Sequence, residues 1–169
     1  EENYELVVAA GGDGTMNEVA SVIAGTSAAF GLVPCGSGDG LGRHLGIHGS
    51  IADALRILTM GVPRLIDSGL ADGHPFFNVA GLGFEARLAD RFNRLTRRGL
   101  LRYLLAGARA LASSRAEDYT ISQGSERSHL RSFTLAVANG SQYGNHARIA
   151  PRADTADGLL DLCAMPPLS

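Results

Sequence analysis

The sequence predicts an α/β protein: a parallel-sheet unit covered by helices, then an antiparallel β-rich unit carrying a helical insertion. Three observations point there. Apolar runs alternate with helix-period segments in a β-α-β-α rhythm up to residue 61. Beyond residue 62 the rhythm gives way to short alternating runs joined by turn residues. Glycine-rich loops follow the first two strands, where a parallel sheet gathers its ligand-binding loops. The expected division is a partial α/β unit at 1–61 and a partial β-rich unit at 62–169, with a helical insertion at 85–114.

Each element has a local reason. "ELVVAA" (5–10) is a continuous apolar run and reads as a strand buried on both faces. Such a strand needs sheet neighbours. So little sequence precedes it that the chain is expected to be a piece of a longer one, cut at both ends. "TMNEVASVIAG" (15–25) reads as a helix opened by a capping box, Thr15 to Glu18, with Met16, Val19 and Ile23 on its buried stripe. "AAFGLVP" (28–34) is the next strand. "SIADALRILTMG" (50–61) is a helix with Ser50 as N-cap and Ile51, Ala54, Leu55 and Leu58 on one face.

In the second part, "PRLIDSGLADGHPFFNVAGLGF" (63–84) reads as two strands joined by Asp72-Gly73, a strong hairpin signal. A helical stretch follows over 85–114, interrupted at Arg98-Gly99. "EDYTISQ" (117–123) and "LRSFTLAVANG" (130–140) are strands around a turn at "GSERS". In the latter, Leu130, Ser132, Thr134 and Ala136 alternate with Arg131, Phe133, Leu135 and Val137. "LLDLCAM" (159–165) is the last strand.

Composition excludes several classes. Apolar residues make up 45% and charged residues 19%, so a packed core is expected and disorder is not. A net charge of −2 argues against nucleic acid as a partner. All 15 basic residues are arginine. Cys35 and Cys163, far apart and with no signal peptide, read as reduced thiols of a cytoplasmic protein. No apolar run reaches membrane-span length. His44, His48, His74, His129 and His146 lack metal-ligand spacing and read as surface or capping residues.

The chemistry concentrates in "AAGGDGTMNEV" (9–19). A strand, a glycine turn and a helix N-terminus make an anion site, because backbone N–H groups and the helix dipole both favour negative charge. Asp13 in that loop would repel a phosphate. A Mg²⁺ bridging Asp13 and the phosphate oxygens resolves the conflict. So does an Asp13 that faces an acceptor hydroxyl and takes its proton. The plain alternative is a tight turn with Asp13 capping its own helix. A chain without lysine cannot supply a Walker loop or the strand lysine of a protein kinase. "GLGFEA" (Gly81, Gly83, Ala86) matches a dinucleotide fingerprint only loosely, with no acidic residue about 20 positions on.

A second loop supports the phosphate reading. "PCGSGDGLGRHLGI" (34–47) follows the next strand, and Gly36, Ser37 and Gly38 offer amides and a hydroxyl on the same sheet edge. Cys35 with His44 could form a thiol site, but no third group is identifiable.

"GGDGTMNEV", "VPCGSGDGLGRHLGI", "FFNVAGLGFEA", "VANGSQYG" and "IAPRADTADGLLDL", in this order and spacing, resemble the diacylglycerol kinase catalytic-domain family. That family includes bacterial diacylglycerol kinase-like lipid kinases and sphingosine kinases. The resemblance implies a nucleotide domain of the phosphofructokinase and NAD-kinase type, a β-sandwich-like domain, and ATP and Mg²⁺ as cofactors. It implies that Gly11, Gly12, Asp13, Gly14, Thr15, Met16 and Asn17 form the nucleotide-phosphate loop and that Ser37 is the second loop's hydroxyl. In the sphingosine-kinase branch, the aspartate matching Asp13 is the favoured base, whereas in the bacterial branch a later acidic motif towards the C-terminus, not found in this sequence, is favoured instead. The family usually has Asn where this chain has Asp39, placing an extra negative charge near the phosphates.

"PRADTADGLLDL" groups Asp154, Asp157 and Asp161. Carboxylates three apart around Gly158, with a carbonyl such as that of Leu159, can share a hard cation. The resemblance implies a structural Mg²⁺ at Asp154, Asp157 and Leu159. The plain alternative is a solvated acidic turn with an Asx cap at Asp157. Arg87, Arg91, Arg94, Arg98 and Arg102 recur at helical spacing and share one face. By resemblance, Arg102 is the one expected to reach ATP phosphates. The stripe and "LLRYLLAGARALA" could also meet anionic lipid headgroups, or the stripe could be a solvated face.

The expected activity is transfer of the γ-phosphoryl group of Mg-ATP to a lipid hydroxyl of diacylglycerol or sphingoid-base type, with Asp13 catalytic. The expected partners are a lipid substrate met peripherally at the membrane surface and, as an open expectation, a second copy of the chain in a homodimer. The alternatives are an NAD kinase-like phosphotransferase and a non-catalytic nucleotide-binding module.

Overall fold

The computed structural model describes residues 4–83, 115–144 and 147–166. Two compact units emerge: residues 1–80 with 138–161, and residues 81–137 with 162–169. The change of rhythm at residue 62 falls inside the first of these. The expected insertion at 85–114, with its break at Arg98-Gly99, lies outside the described residues, as does Arg102.

In the first unit, β1 (Leu6–Gly11) and β2 (Ala29–Pro34) pair in parallel, Leu6 opposite Ala29 through Gly11 opposite Pro34. Helix α1 (Asp13–Ile23) connects them. Met16 and Ala20 of α1 pack on Ala9, Leu32, Leu41 and Phe77, with Val19, Phe30, Leu45 and Ile47 at the margin. Met16 is 1% exposed, and burying such a side chain stabilises by about 1.5–3 kcal/mol.

Two expectations need correction here. Helix α1 starts at Asp13 rather than Thr15, with Gly12 as an extended N-cap and no side-chain cap bond, so the Thr15–Glu18 box does not form. The chain turns helical as soon as the strand ends, which places Thr15 already inside the first turn. Strand β1 is not buried on both faces: Leu6 and Val8 are each 43% exposed and only Ala9 is buried. Among the described residues β2 is its one strand partner.

Short helix α2 (Gly40–His44) follows the second glycine-rich loop, and α3 (Ile51–Met60) packs on β2. The α3 start follows its sequence. Ser50 accepts from the Asp53 N–H at 3.2 Å, and the Asp53 carboxylate accepts from the Ser50 N–H at 3.1 Å, a complete capping box. Strands β3 (Gly69–Ala71) and β4 (His74–Phe76) form the hairpin that Asp72-Gly73 signals. Both turn residues are left-handed, at φ 50° and 78°, as a two-residue turn matched to strand twist requires.

The second unit contains most of β5 (Val79–Gly83), together with β6 (Glu117–Gln123) and β7 (Glu126–Ser132). Strands β6 and β7 are antiparallel, with Glu117 opposite Ser132 and Gln123 opposite Glu126. The run expected as one strand over 130–140 breaks at Phe133, and β8 (Thr134–Ala138) continues it. The Ser132 hydroxyl sits at the break, 2.6 Å from the carbonyl oxygens of both Thr134 and Met165. Strand β8 lies between β5 and β11 (Asp161–Met165). The first unit is completed by β9 (Gln142–Gly144) and β10 (Ala147–Arg148), an antiparallel pair. The fold is mixed α/β, with the parallel pair N-terminal and antiparallel pairing beyond it, as the sequence predicts.

Candidate functional site

Gly11 ends β1, and Gly12 caps α1 by accepting from the Met16 N–H at 3.0 Å. The first-turn amides of Asp13, Gly14 and Thr15 therefore have no carbonyl within the helix to reach. At the end of β2, the Cys35 N–H donates to the Gly11 carbonyl at 2.9 Å, so the strands stay zipped up to their loops. Immediately beyond, the two loops touch glycine to glycine. A Cβ on Gly36 would sit 2.7 Å from the Gly12 Cα, closer than any side chain allows.

The Asp13 carboxylate caps a helix, but not its own. Its Oδ1 accepts from the N–H of Gly40, first residue of α2, at 2.7 Å. This is the chemistry of an N-cap supplied from another element. Asp13 thus joins the two glycine-rich loops that sequence reasoning picked out separately.

Asp39 precedes α2 in the left-handed conformation, φ 50° and ψ 48°, where Asn and Asp are the tolerated non-glycine residues. Its Oδ1 accepts from the Gly36 N–H at 3.0 Å. That amide is therefore committed within the loop, and Ser37 and Gly38 carry the amides that remain. Burial pushes the Asp39 carboxyl above the usual aspartate range. The Gly36 N–H opposes this, the Asp13 charge adds to it, and Arg43 opposes it. Arg43 also donates from Nε to the Gly38 carbonyl at 3.0 Å.

A cleft of about 300 Å³ opens beside Asp13, lined by Asp13, Gly14, Asn17, Phe76, Asn78, Val79 and Tyr143. Its lining combines a carboxylate and a helix N-terminus with aromatic, aliphatic and amide side chains. Asn17 ties α1 to the hairpin by donating to the Pro75 carbonyl at 3.2 Å. The Asn78 carbonyl accepts from the N–H groups of Asn139 and Gly140 at 2.7 and 3.0 Å. Its side-chain amide donates to the Gln142 carbonyl at 3.0 Å.

The structure gathers Gly11, Gly12, Asp13, Gly14, Thr15, Gly36, Ser37 and Gly38 at the ends of β1 and β2. Met16 belongs to the core and its N–H is taken by the Gly12 carbonyl, whereas Asn17 reaches the cleft. Sequence reasoning did not assign Phe76, Asn78, Val79 or Tyr143. The segments "FFNVAGLGF" and "VANGSQYG" were visible as motifs, but nothing local says that they meet.

The acidic loop is held by its own backbone. Asp154 Oδ1 accepts from the Ala156 N–H at 3.0 Å, and Asp157 Oδ1 from the Leu159 N–H at 2.9 Å. Asp67 Oδ2 accepts from the Gly158 N–H at 2.7 Å. Each of Asp154 and Asp157 keeps a second carboxylate oxygen, and with the Leu159 carbonyl these are donors that suit a hard cation. Among the described residues no group of three or more His, Cys, Asp or Glu side chains is gathered for a metal.

Residues 1–71 match the diacylglycerol kinase catalytic domain, and residues 78–169 match the YegS C-terminal NAD kinase beta sandwich-like domain. A protein of Chromohalobacter salexigens named "Probable lipid kinase YegS-like" is 34% identical over 172 residues, 96% of this chain and 54% of that one. The diacylglycerol kinase of Bacillus subtilis is 33% identical over 164 residues, 94% of this chain and 54% of its own length. The chain therefore spans about half the length of the curated relatives it matches. A diacylglycerol kinase crystal structure from Bacillus anthracis str. Sterne shares the fold, with a TM-score of 0.73 at 21% identity over 96% of this chain and 55% of that one. Family models thus match both parts of the sequence, and the chain belongs to the diacylglycerol kinase catalytic-domain family, with the YegS-type C-terminal domain following it.

Proposed function

We propose that this chain carries the phosphate cradle and acceptor cleft of an ATP- and Mg²⁺-dependent lipid kinase acting on a diacylglycerol-type hydroxyl at a membrane surface. The observation that carries the reading is the position of Asp13. It holds the second glycine-rich loop through Gly40 and at the same time lines a cleft whose other residues include Phe76 and Val79.

The two loops serve the nucleotide. Amides at the start of α1, the Ser37 and Gly38 amides and the Ser37 hydroxyl hold phosphate oxygens. The Gly40 N–H fixes the orientation of the Asp13 carboxylate by binding Oδ1, and Oδ2 accepts the proton of the acceptor hydroxyl. The acceptor oxygen then bonds to the γ-phosphorus as the bond to the β-phosphate oxygen breaks, and ADP leaves. Phe76 and Val79 exclude water from one side of the reacting hydroxyl. Mg²⁺, when bound, neutralises phosphate charge. The Asp154–Asp157 loop with the Leu159 carbonyl suits a structural ion instead. Arg102 is assigned to the nucleotide phosphates by family resemblance alone. No helix among the described residues is long and apolar enough to cross a membrane, and the lipid would be met peripherally.

The test is transfer of label from γ-labelled Mg-ATP into diacylglycerol, phosphatidylglycerol, sphingosine and NAD, with Asp13→Asn in parallel. Label in a lipid that disappears in the variant supports the reading and names the acceptor. Label in NAD alone replaces the lipid with a soluble acceptor. ATP binding with no transfer to any of the four reduces the chain to a nucleotide-binding module.

A further inference from the structure

We infer that His44 is a positioning residue that fastens the second glycine-rich loop to the segment 139–144, so that the loop's amides stand ready for phosphate before nucleotide arrives. The inference rests on the nucleotide reading above.

Helix α2 has 5 residues, far too few to hold its shape alone. Its position is set by what it touches. At its N-terminus the Asp13 carboxylate accepts from Gly40, and Asp39 bridges to Gly144 backbone to backbone. Its flank is pressed against β9: a Cβ on Gly40 would lie 2.6 Å from the Tyr143 carbonyl oxygen. His44 secures the other end. Its Nδ1 accepts from the Ser141 N–H at 3.0 Å and lies 2.9 Å from the Ser141 hydroxyl, a link across 97 residues of sequence. The ring stands over Gly140, where a Cβ would come 3.6 Å from the His44 Cγ.

A ring nitrogen that accepts a backbone N–H cannot itself carry a proton, so the ring's proton belongs on Nε2. Burial favours the neutral ring, lowering its pKa, while the Asp154 charge pulls the other way. His44 therefore acts as a neutral acceptor on a short helix that begins two residues after Gly38. Leu41 and Leu45 still hold α2 to the core, but losing His44 frees its C-terminal end from Ser141, and the Ser37 and Gly38 amides lose part of what fixes their direction.

The measurement uses the full chain. Amide hydrogen exchange over 40–47 is followed without nucleotide in wild type, His44→Ala and His44→Asn, beside kcat and KM for Mg-ATP. Asn offers Oδ1 at the position of Nδ1 and keeps the acceptor. His44→Ala is expected to speed exchange over this segment and raise the ATP KM about tenfold, the size of one or two lost neutral hydrogen bonds, with kcat little changed. His44→Asn is expected to restore both. Unchanged exchange in His44→Ala overturns the clasp, as does faster exchange with an unchanged KM. If His44→Ala fails to fold, His44→Gln, whose amide reaches one bond too far, takes its place against His44→Asn; equal behaviour of the two overturns the role. Because exchange is read without nucleotide, a wild type that binds no ATP but shows the exchange pattern overturns the nucleotide reading alone.

Discussion

Asp13 and Gly40 meet at 2.7 Å, carboxylate to backbone N–H, across 27 residues of sequence. One side chain on the first loop thus sets the start of the helix behind the second. In the proposed phosphate cradle an aspartate is tolerable because a backbone donor already satisfies part of its charge, and a reacting hydroxyl or a cation can meet the rest.

This divides the effects of substitution at Asp13. Asparagine keeps an Oδ1 acceptor for Gly40, so Asp13→Asn should hold its melting temperature while losing about 10²–10⁴-fold in phosphoryl transfer. Asp13→Ala removes the cap as well and should cost about 1 kcal/mol of stability on top. Thermal melts beside the label-transfer assay separate the two; equal stability of both variants would show that the Gly40 contact carries no weight.

Asp39 gives a pH-dependent prediction. Its carboxyl titrates above the usual aspartate value, with burial the largest cause. The folded chain therefore binds this proton more tightly than the unfolded chain does. Stability from this group is greatest in acid and is lost as pH rises from about 4, the unfolded value, through the raised folded value. Asp39→Asn keeps the left-handed backbone and the acceptor for Gly36 but removes the charge. At pH 7 it should be more stable, read as a higher Tm, and should bind ATP more tightly. The stability gain should disappear below about pH 4.

Two glycines near the cleft should respond in opposite ways. A Cβ on Gly40 would overlap the Tyr143 backbone and press on Asn78, so Gly40→Ala should cost about 1–3 kcal/mol. Around Gly14 nothing lies within 4 Å of the place an added Cβ would take, and the residue is helical. Gly14→Ala should leave the fold intact or stabilise it by up to about 1 kcal/mol. It should still raise the ATP KM by filling the phosphate approach. Melting and steady-state kinetics on both variants test the contrast.

The acidic loop predicts a metal-linked stability. Titrating Mg²⁺ should raise Tm by mass action, and chelation should reverse the rise. The double variant Asp154→Asn, Asp157→Asn retains the side-chain acceptors for Ala156 and Leu159 but should lose the response. A rise that survives in the double variant would assign the ion elsewhere.

What the sequence made legible was local. The Ser50 N-cap, the Asp72-Gly73 turn and the β-α-β start each depend on residues within a few positions of one another, and each formed as expected. The Thr15–Glu18 box has the right residues but did not form, because the helix begins at Asp13 as soon as β1 ends. Exposure of Leu6 and Val8 could not be read from an apolar run, since burial depends on what packs against it. Both glycine-rich loops were visible from their place after an apolar strand. That Asp13 caps α2, that Asn78 and Tyr143 line the cleft, and that His44 binds Ser141 are all long-range pairings, which no spacing rule encodes.

The His44–Ser141 link also sets a timetable for the chain's birth. A ribosome adding about 5–20 residues per second makes His44 about 5–20 s before Ser141, 97 positions later. Through that interval α2 lacks its clasp and its bridge to Gly144, although β1, α1 and β2 have already been synthesised. The second loop is therefore among the last parts of its unit to be assembled, and slow codons between residues 45 and 140 would lengthen its exposure as a nascent chain.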